Sequence, residues 1–187
     1  MNDTRTKILD IAEDLIRRVG VNAMSYRHIS DAVGIRKASI HHHFPKKENL
    51  VDALLQRCEV SYGNNYQRIV DGSGRAPDKL RELAAVFEDG LRNGKLCLIG
   101  SISTDSNTLR DCSLQILQGT IQNTVSIFTG VFTQGRQEDS LAFNGTDADA
   151  AYAFFSFLIG AQIVARSHGG VQSFHHATEV FISGLLP

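Results

Sequence analysis

A chain of 187 residues with 42% hydrophobic content is long enough to bury a core, and a charged fraction of 21% with a formal net charge of −1 excludes both a disordered chain and a bulk polycation. The charge is unevenly spread. Residues 1–50 hold nine Lys/Arg against six Asp/Glu, a balance of +3, and the rest of the chain carries −4, which points to an anionic partner for the first segment alone.

The periodicity is helical almost throughout. Ile8, Ile11, Ala12, Leu15, Ile16 and Val19 fall on one helical face, with Gly20 as the stop. Ser25 is placed to cap a short segment through Ile29, Ala32 and Val33 to Gly34, and a second short segment follows from Lys37 to Phe44. Pro45 then opens a long helix carrying Leu50, Leu54 and Leu55 and reaching about Ile69, and residues 71–77 read as a loop. Leu80, Leu83, Ala84, Phe87 and Leu91 mark the next helix, closed by Gly94. Helices are expected over 97–105 and 109–133, the latter rich in Thr, Val and Ile. A polar loop is expected over 134–145. Thr146 and Asp149 have the spacing of a capping box for a helix through about Ser167. Gly169-Gly170 breaks that helix before a last one carrying Phe174, Ala177, Thr178, Phe181 and Leu185.

Two short helices joined by a tight Gly-containing turn, with a longer helix before them, are the parts of a helix-turn-helix. In that motif the first helix of the pair braces across the DNA backbone while the second enters the major groove. Ile29, Ala32, Val33, Ile35, Ile40 and Phe44 are the expected lock between the three helices. Arg36, Lys37, Ser39, His41 and His42 are then the outward residues able to meet phosphates or base edges, with His43 either joining them or packing inward. The run His41-His42-His43 does not suit a metal, because consecutive helical residues point about 100° apart and cannot converge on one ion.

The stretch Ser25-Tyr-Arg-His-Ile-Ser-Asp-Ala-Val-Gly34-Ile35, followed by Ser39-Ile-His-His-His-Phe-Pro45-Lys-Lys-Glu-Asn-Leu50, resembles the signature of the TetR-type (tetracycline-repressor-like) bacterial regulators. The resemblance implies an all-α protein with a three-helix DNA-binding domain over 1–47 and a helical ligand-sensing and dimerisation domain over 48–187. It implies that Ser25 bonds a phosphate, that Lys37, Ser39, His41 and His42 lie at the groove, and that Lys47 clamps a phosphate at the start of the long helix. Arg27 is a further candidate on the bracing helix. His41 and His43 stand where the family usually has Tyr, and Arg36 and Lys46 where small capping residues are common, so operator preference does not carry over.

For the second domain the resemblance implies an inducer site and a two-fold dimer. Phe87, Phe128, Phe132 and Phe154 either line a pocket between helices or form ordinary core. Gly94-Lys-Leu-Cys97-Leu-Ile-Gly100 is similar to a segment in a branch of the family that senses electrophiles, oxidants or short organic molecules. Cys97 is therefore either a sensor thiol, its thiolate favoured by a nearby cation and helix start, or a small packed hydrophobe. Arg110 either pairs a ligand carboxylate or lies at the surface. Ala148, Ala151, Phe155, Leu158, Gln162 and Ala165 on one helix, and Phe174, Ala177, Phe181 and Leu185 on the next, are the expected dimer faces.

Cys58, Cys97 and Cys112 lack the close pairing of zinc ligands, and an odd number argues against a disulfide framework. No basic-then-apolar leader is present and polar residues interrupt the apolar runs, so a cytoplasmic protein without membrane contact is expected. No nucleophile motif, phosphate loop or paired metal ligands appear, so neither an enzyme nor a bound cofactor or metal is expected. The expected partners are double-stranded operator DNA, a second copy of the chain and a small-molecule inducer. The expected activity is that of a ligand-released repressor on a palindromic operator.

Overall fold

The computed structural model describes residues 2–187, and among them there is no strand. Nine α-helices follow one another: α1 (Asn2–Val19), α2 (Tyr26–Val33), α3 (Lys37–His43), α4 (Lys47–Val70), α5 (Ala76–Arg92), α6 (Leu98–Ser103), α7 (Asp111–Gln137), α8 (Asp147–Ser167) and α9 (Gly170–Ser183), with a 3-10 turn at Ser106–Thr108. They form two compact units. One takes residues up to 58 together with 98–120, and the other takes 59–97 together with 121–187.

In the first unit α1 packs on α2 and on α6, and α2 packs on α3. Ser25 caps α2 by accepting the amide of His28 at 3.3 Å, and Gly34 ends it at a φ of +76°, a conformation that a side chain would resist. Ile8, Ala12, Ile16, Ile29, Ile40 and Phe44 are buried, while Val33 and Ile35 are half-buried. Two residues assigned inward by periodicity face out: Ala32 is exposed, and so is Val19, the last residue of α1. Arg57 of α4 ties itself to α1 through Asp10 and Glu13, each at 2.6 Å.

In the second unit α5, α8 and α9 pack pairwise. α5 begins earlier than its sequence suggested because Pro77 sits in its first turn, where a missing N–H costs nothing. α7 is one unbroken helix of 27 residues and runs past the expected end at 133. Its Thr120 and Thr129 hydroxyls donate to the carbonyls of Ile116 and Val125 one turn back, so these β-branched residues are satisfied inside the helix. Lys79 is buried, its ammonium donating to the Val70 carbonyl at the end of α4 and to Gln134 of α7. The capping box that starts α8 is complete: Asp149 N–H donates to Thr146 Oγ1, and Thr146 N–H donates to Asp149 Oδ2, both at 3.1 Å.

Candidate functional site

The turn between α2 and α3 and the end of α3 are fixed by three contacts. Ser30 Oγ donates to the Ile35 carbonyl, the Phe44 amide closes on the Ile40 carbonyl at 2.8 Å, and Tyr26 Oη donates to the Phe44 carbonyl at 2.7 Å. Tyr26 was missed by the sequence reading. Its signal was its place directly after the cap Ser25, which puts its ring on the α3 side of α2. Burial first, and the Glu48 charge second, push the Tyr26 phenol up to about 12.

Of the residues proposed for DNA, Arg27, Arg36, Lys37, His41 and His42 are exposed, and Ser25, Ser39 and Lys47 are half-buried. The basic residues divide into two groups. Lys7, Arg17, Arg18 and Arg27 each pair with a carboxylate one turn away on their own helix. Arg36, Lys37 and Lys46 make no ion pair among the described residues, and they bracket α3. Solvent-facing charge is thus left uncommitted at the recognition helix. Lys47 lies close enough to Asp105 for the two charges to interact. Asp105 in turn accepts the Asn22 amide at 3.0 Å and its Nδ2 at 2.8 Å, tying the turn after α1 to the turn after α6.

The aromatic residues proposed for a ligand are core. Phe128, Phe132 and Phe154 are fully buried and Phe87 nearly so. Phe128 meets Tyr66 edge-on at 5.2 Å and Phe154 at 6.2 Å, Phe132 meets Phe154 at 6.1 Å, and Phe87 meets Phe155 at 6.3 Å. An open groove of about 400 Å³ lies instead along Ile121, Val125 and Thr129 of α7 and Ala148 and Tyr152 of α8, and no residue proposed for the ligand lines it. Arg110 is at the surface, paired with Asp52 at 2.8 Å. Cys97 is half-buried, while Cys58 is buried and Cys112 exposed. The Cys97 amide donates to Gln162 Oε1 at 2.6 Å, and Gln162 Nε2 donates to the Phe87 carbonyl at 2.7 Å.

The dimer faces need correction. Ala151, Phe155, Leu158, Gln162, Ala165 and Phe174 are buried within the chain itself, and Ala177 and Phe181 are half-buried. The first six hold α8 and α9 onto the rest of their own unit and are not available to a partner, whereas Ala177, Phe181 and Leu185 keep part of their surface and Ala148 is exposed. The outward faces carry Tyr152, Ile163, Val164 (65% exposed) and Val180 (60% exposed). α8 is apolar on both sides. Among the described residues it is the one helix long and apolar enough to cross a membrane, although its sequence had suggested no such run. No group of three or more metal-ligating side chains converges among the described residues.

Residues 8–54 match the family model described as bacterial regulatory proteins, tetR family. Over its whole length the chain superposes on the crystal structure of a TetR-family transcriptional regulator from Agrobacterium tumefaciens, with a TM-score of 0.93, 26% identity and 99% of that chain covered. The chain carries the DNA-binding domain of the tetR family and has the fold of a TetR-family regulator. It is similar to the HTH-type transcriptional repressor KstR2 of Rhodococcus jostii, 41% identical over 66 residues, which are 35% of this chain. The chain spans about a third (32%) of the length of that relative. It is also similar to the HTH-type transcriptional repressor NemR of Escherichia coli, 22% identical over 171 residues, 88% of this chain and 85% of that protein. Its first segment is thus similar to KstR2, and its fold to the Agrobacterium regulator and to the reduced form of Escherichia coli NemR (TM-score 0.82, 20% identity, 98% of that chain covered).

Proposed function

We propose that the chain is a TetR-type repressor that binds a palindromic operator as a homodimer and leaves it when a small molecule binds the second unit. The observation that carries DNA binding is the uncommitted charge around α3. Lys7, Arg17, Arg18 and Arg27 are each paired on their own helix, while Arg36, Lys37 and Lys46, with no ion pair among the described residues, are left for phosphates. Ser25, Arg27, Ser39, His41, His42 and Lys47 complete the surface. Ser25 Oγ accepts the His28 amide in the cap, which leaves its O–H to donate to a phosphate oxygen.

The outward faces of α8 and α9 support the homodimer. A Cβ at Gly160 would meet nothing within 4 Å, so the chain's own packing does not require glycine there. On a face shared with Tyr152, Ile163 and Val164, a small residue suits the close approach of a partner helix. The inducer is either a non-covalent ligand that opens the aromatic core around Phe87, Phe128, Phe132 and Phe154, or an electrophile that alkylates Cys97. An operator partner places the protein in the cytoplasm.

The test is a fluorescence-anisotropy titration of the full chain with the intergenic DNA beside its own gene, at several salt concentrations. Specific binding whose affinity falls steeply with salt is expected, with half-sites about one helical turn apart. Equal and salt-insensitive affinity for all duplexes would reject the reading.

A further inference from the structure

Among the described residues, His41 is the member of the His41–His43 run whose ring nitrogen is hydrogen-bonded to the chain. Its Nδ1 faces the Pro45 carbonyl oxygen at 3.4 Å. A carbonyl can only accept, so Nδ1 carries its proton whether the ring is neutral or charged. Nε2 is therefore a lone-pair acceptor in the neutral ring and an N–H donor in the charged one. Nε2 has no hydrogen bond among the described residues, and the side chain is exposed on the recognition helix. The ring plane is held as well. The Tyr26 ring meets it at 4.9 Å and 65°, and Tyr26 is itself anchored by its bond to the Phe44 carbonyl.

We propose that His41 is a protonation-dependent specificity residue of the reading head, accepting through Nε2 from a base-edge donor when neutral and donating through it to a base-edge acceptor when charged. The proposal rests on the DNA-binding reading above. In the major groove cytosine presents a donor, its N4 amino group, and guanine presents acceptors, N7 and O6. One G·C pair in its two orientations is therefore the discriminating target. An imidazole changes charge between about pH 5 and 8. Contact with guanine favours the charged ring, so affinity for that orientation is present at low pH and lost as pH rises. The cytosine orientation behaves in the opposite sense. The titratable and charged groups around the ring are Tyr26 of α2, Glu48 of α4 through its effect on Tyr26, Lys46 beside Pro45, Lys37 and His42 on its own helix, and Arg5 of α1 over the Phe44 ring.

A randomised duplex library selected with the full-length protein at about pH 6 and about pH 8 defines the half-site. Duplexes that differ in the orientation of single G·C pairs are then titrated by anisotropy at both pH values. One position per half-site is expected where the affinity ratio of the two orientations changes roughly fivefold or more with pH. That change should persist in His42→Gln and vanish in His41→Gln. His41→Tyr is a second non-titrating variant, and each is used only with wild-type helical circular dichroism. Uniform strengthening of all duplexes at low pH, with a salt slope steeper by about 1, would make His41 a phosphate contact and overturn the proposal. So would a preference that still shifts with pH in both His41 variants. Failure of the wild type to bind any duplex at either pH would reject the regulator reading itself, which is distinct from pH-independent binding.

Discussion

Lys47 is half-buried, and loss of solvent is the main cause holding its ammonium below the ordinary lysine value, with Asp105 and then Glu48 acting the other way. A cation already partly stripped of water gives up little hydration when it meets a phosphate. Lys47→Ala is therefore expected to weaken binding to all sequences alike and to lower the salt slope by roughly 1, read from anisotropy titrations at several salt concentrations. A Ser39 substitution should instead change the ranking of operators. A second single-residue consequence lies at Gln162, whose buried carboxamide joins the Cys97 amide to the Phe87 carbonyl. Gln162→Leu fills the space but removes the bonds to the Cys97 amide and the Phe87 carbonyl, and should cost about 2 kcal/mol in urea unfolding. Iodoacetamide should label Cys97 faster in this variant, because the segment before α6 loses its tie to α8. Unchanged labelling would show that Gln162 does not position that segment.

At the scale of elements, α8 is started by charge as well as by hydrophobic burial. Hydrogen bonds from Arg136 and Thr133 hold Asp147 below the usual carboxylate range, and bonds from the Thr146 side chain and backbone do the same for Asp149. A depressed folded value means that both contribute stability above the unfolded value of about 4 and lose it as pH falls through the lower folded value. Asp149→Ala should lower the melting temperature at neutral pH and reduce the further loss seen below about pH 4, checked by thermal melts across an acid series. Elements with such local chemistry were legible in the sequence. Ser25, Gly34, Pro45, Gly94 and the Thr146–Asp149 pair set the ends of α2 to α5 and the start of α8 through contacts within a few residues. The end of α7 was not legible. The polar run Gln134–Gln137 looks like a loop until Gln134 is seen bonding Lys79 and the Gly74 carbonyl across the unit. Ala32 was misassigned because a small apolar residue satisfies a helical period equally well on an exposed face.

At the scale of the whole molecule, the hardest feature to read was which side of α8 and α9 faces a partner. Periodicity finds an apolar stripe, but α8 has two. The stripe through Ala151, Phe155, Leu158, Gln162 and Ala165 repeats at helical spacing over four turns, so it reads most strongly, and the chain covers it itself. The stripe through Tyr152, Gly160, Ile163 and Val164 is weaker in pattern yet is left exposed, together with Val180 of α9. The two stripes predict opposite outcomes for a buried charge. Val164→Glu combined with Val180→Glu should leave helical content and melting temperature near wild type, because neither side chain supports its own unit. A charge with no partner in a two-fold interface meets its own copy or an apolar surface, and should weaken dimerisation by 100-fold or more, about 2.7 kcal/mol. Light scattering should then return one chain mass instead of two, and operator affinity should fall because two reading heads no longer bind together. Phe155→Glu should unfold the chain instead, since a carboxylate would replace a ring packed edge-on against Phe87 and Phe128. A Val164/Val180 variant that stays dimeric would move the interface off this face, and a Phe155 variant that folds as a monomer would restore the inner stripe as the contact surface.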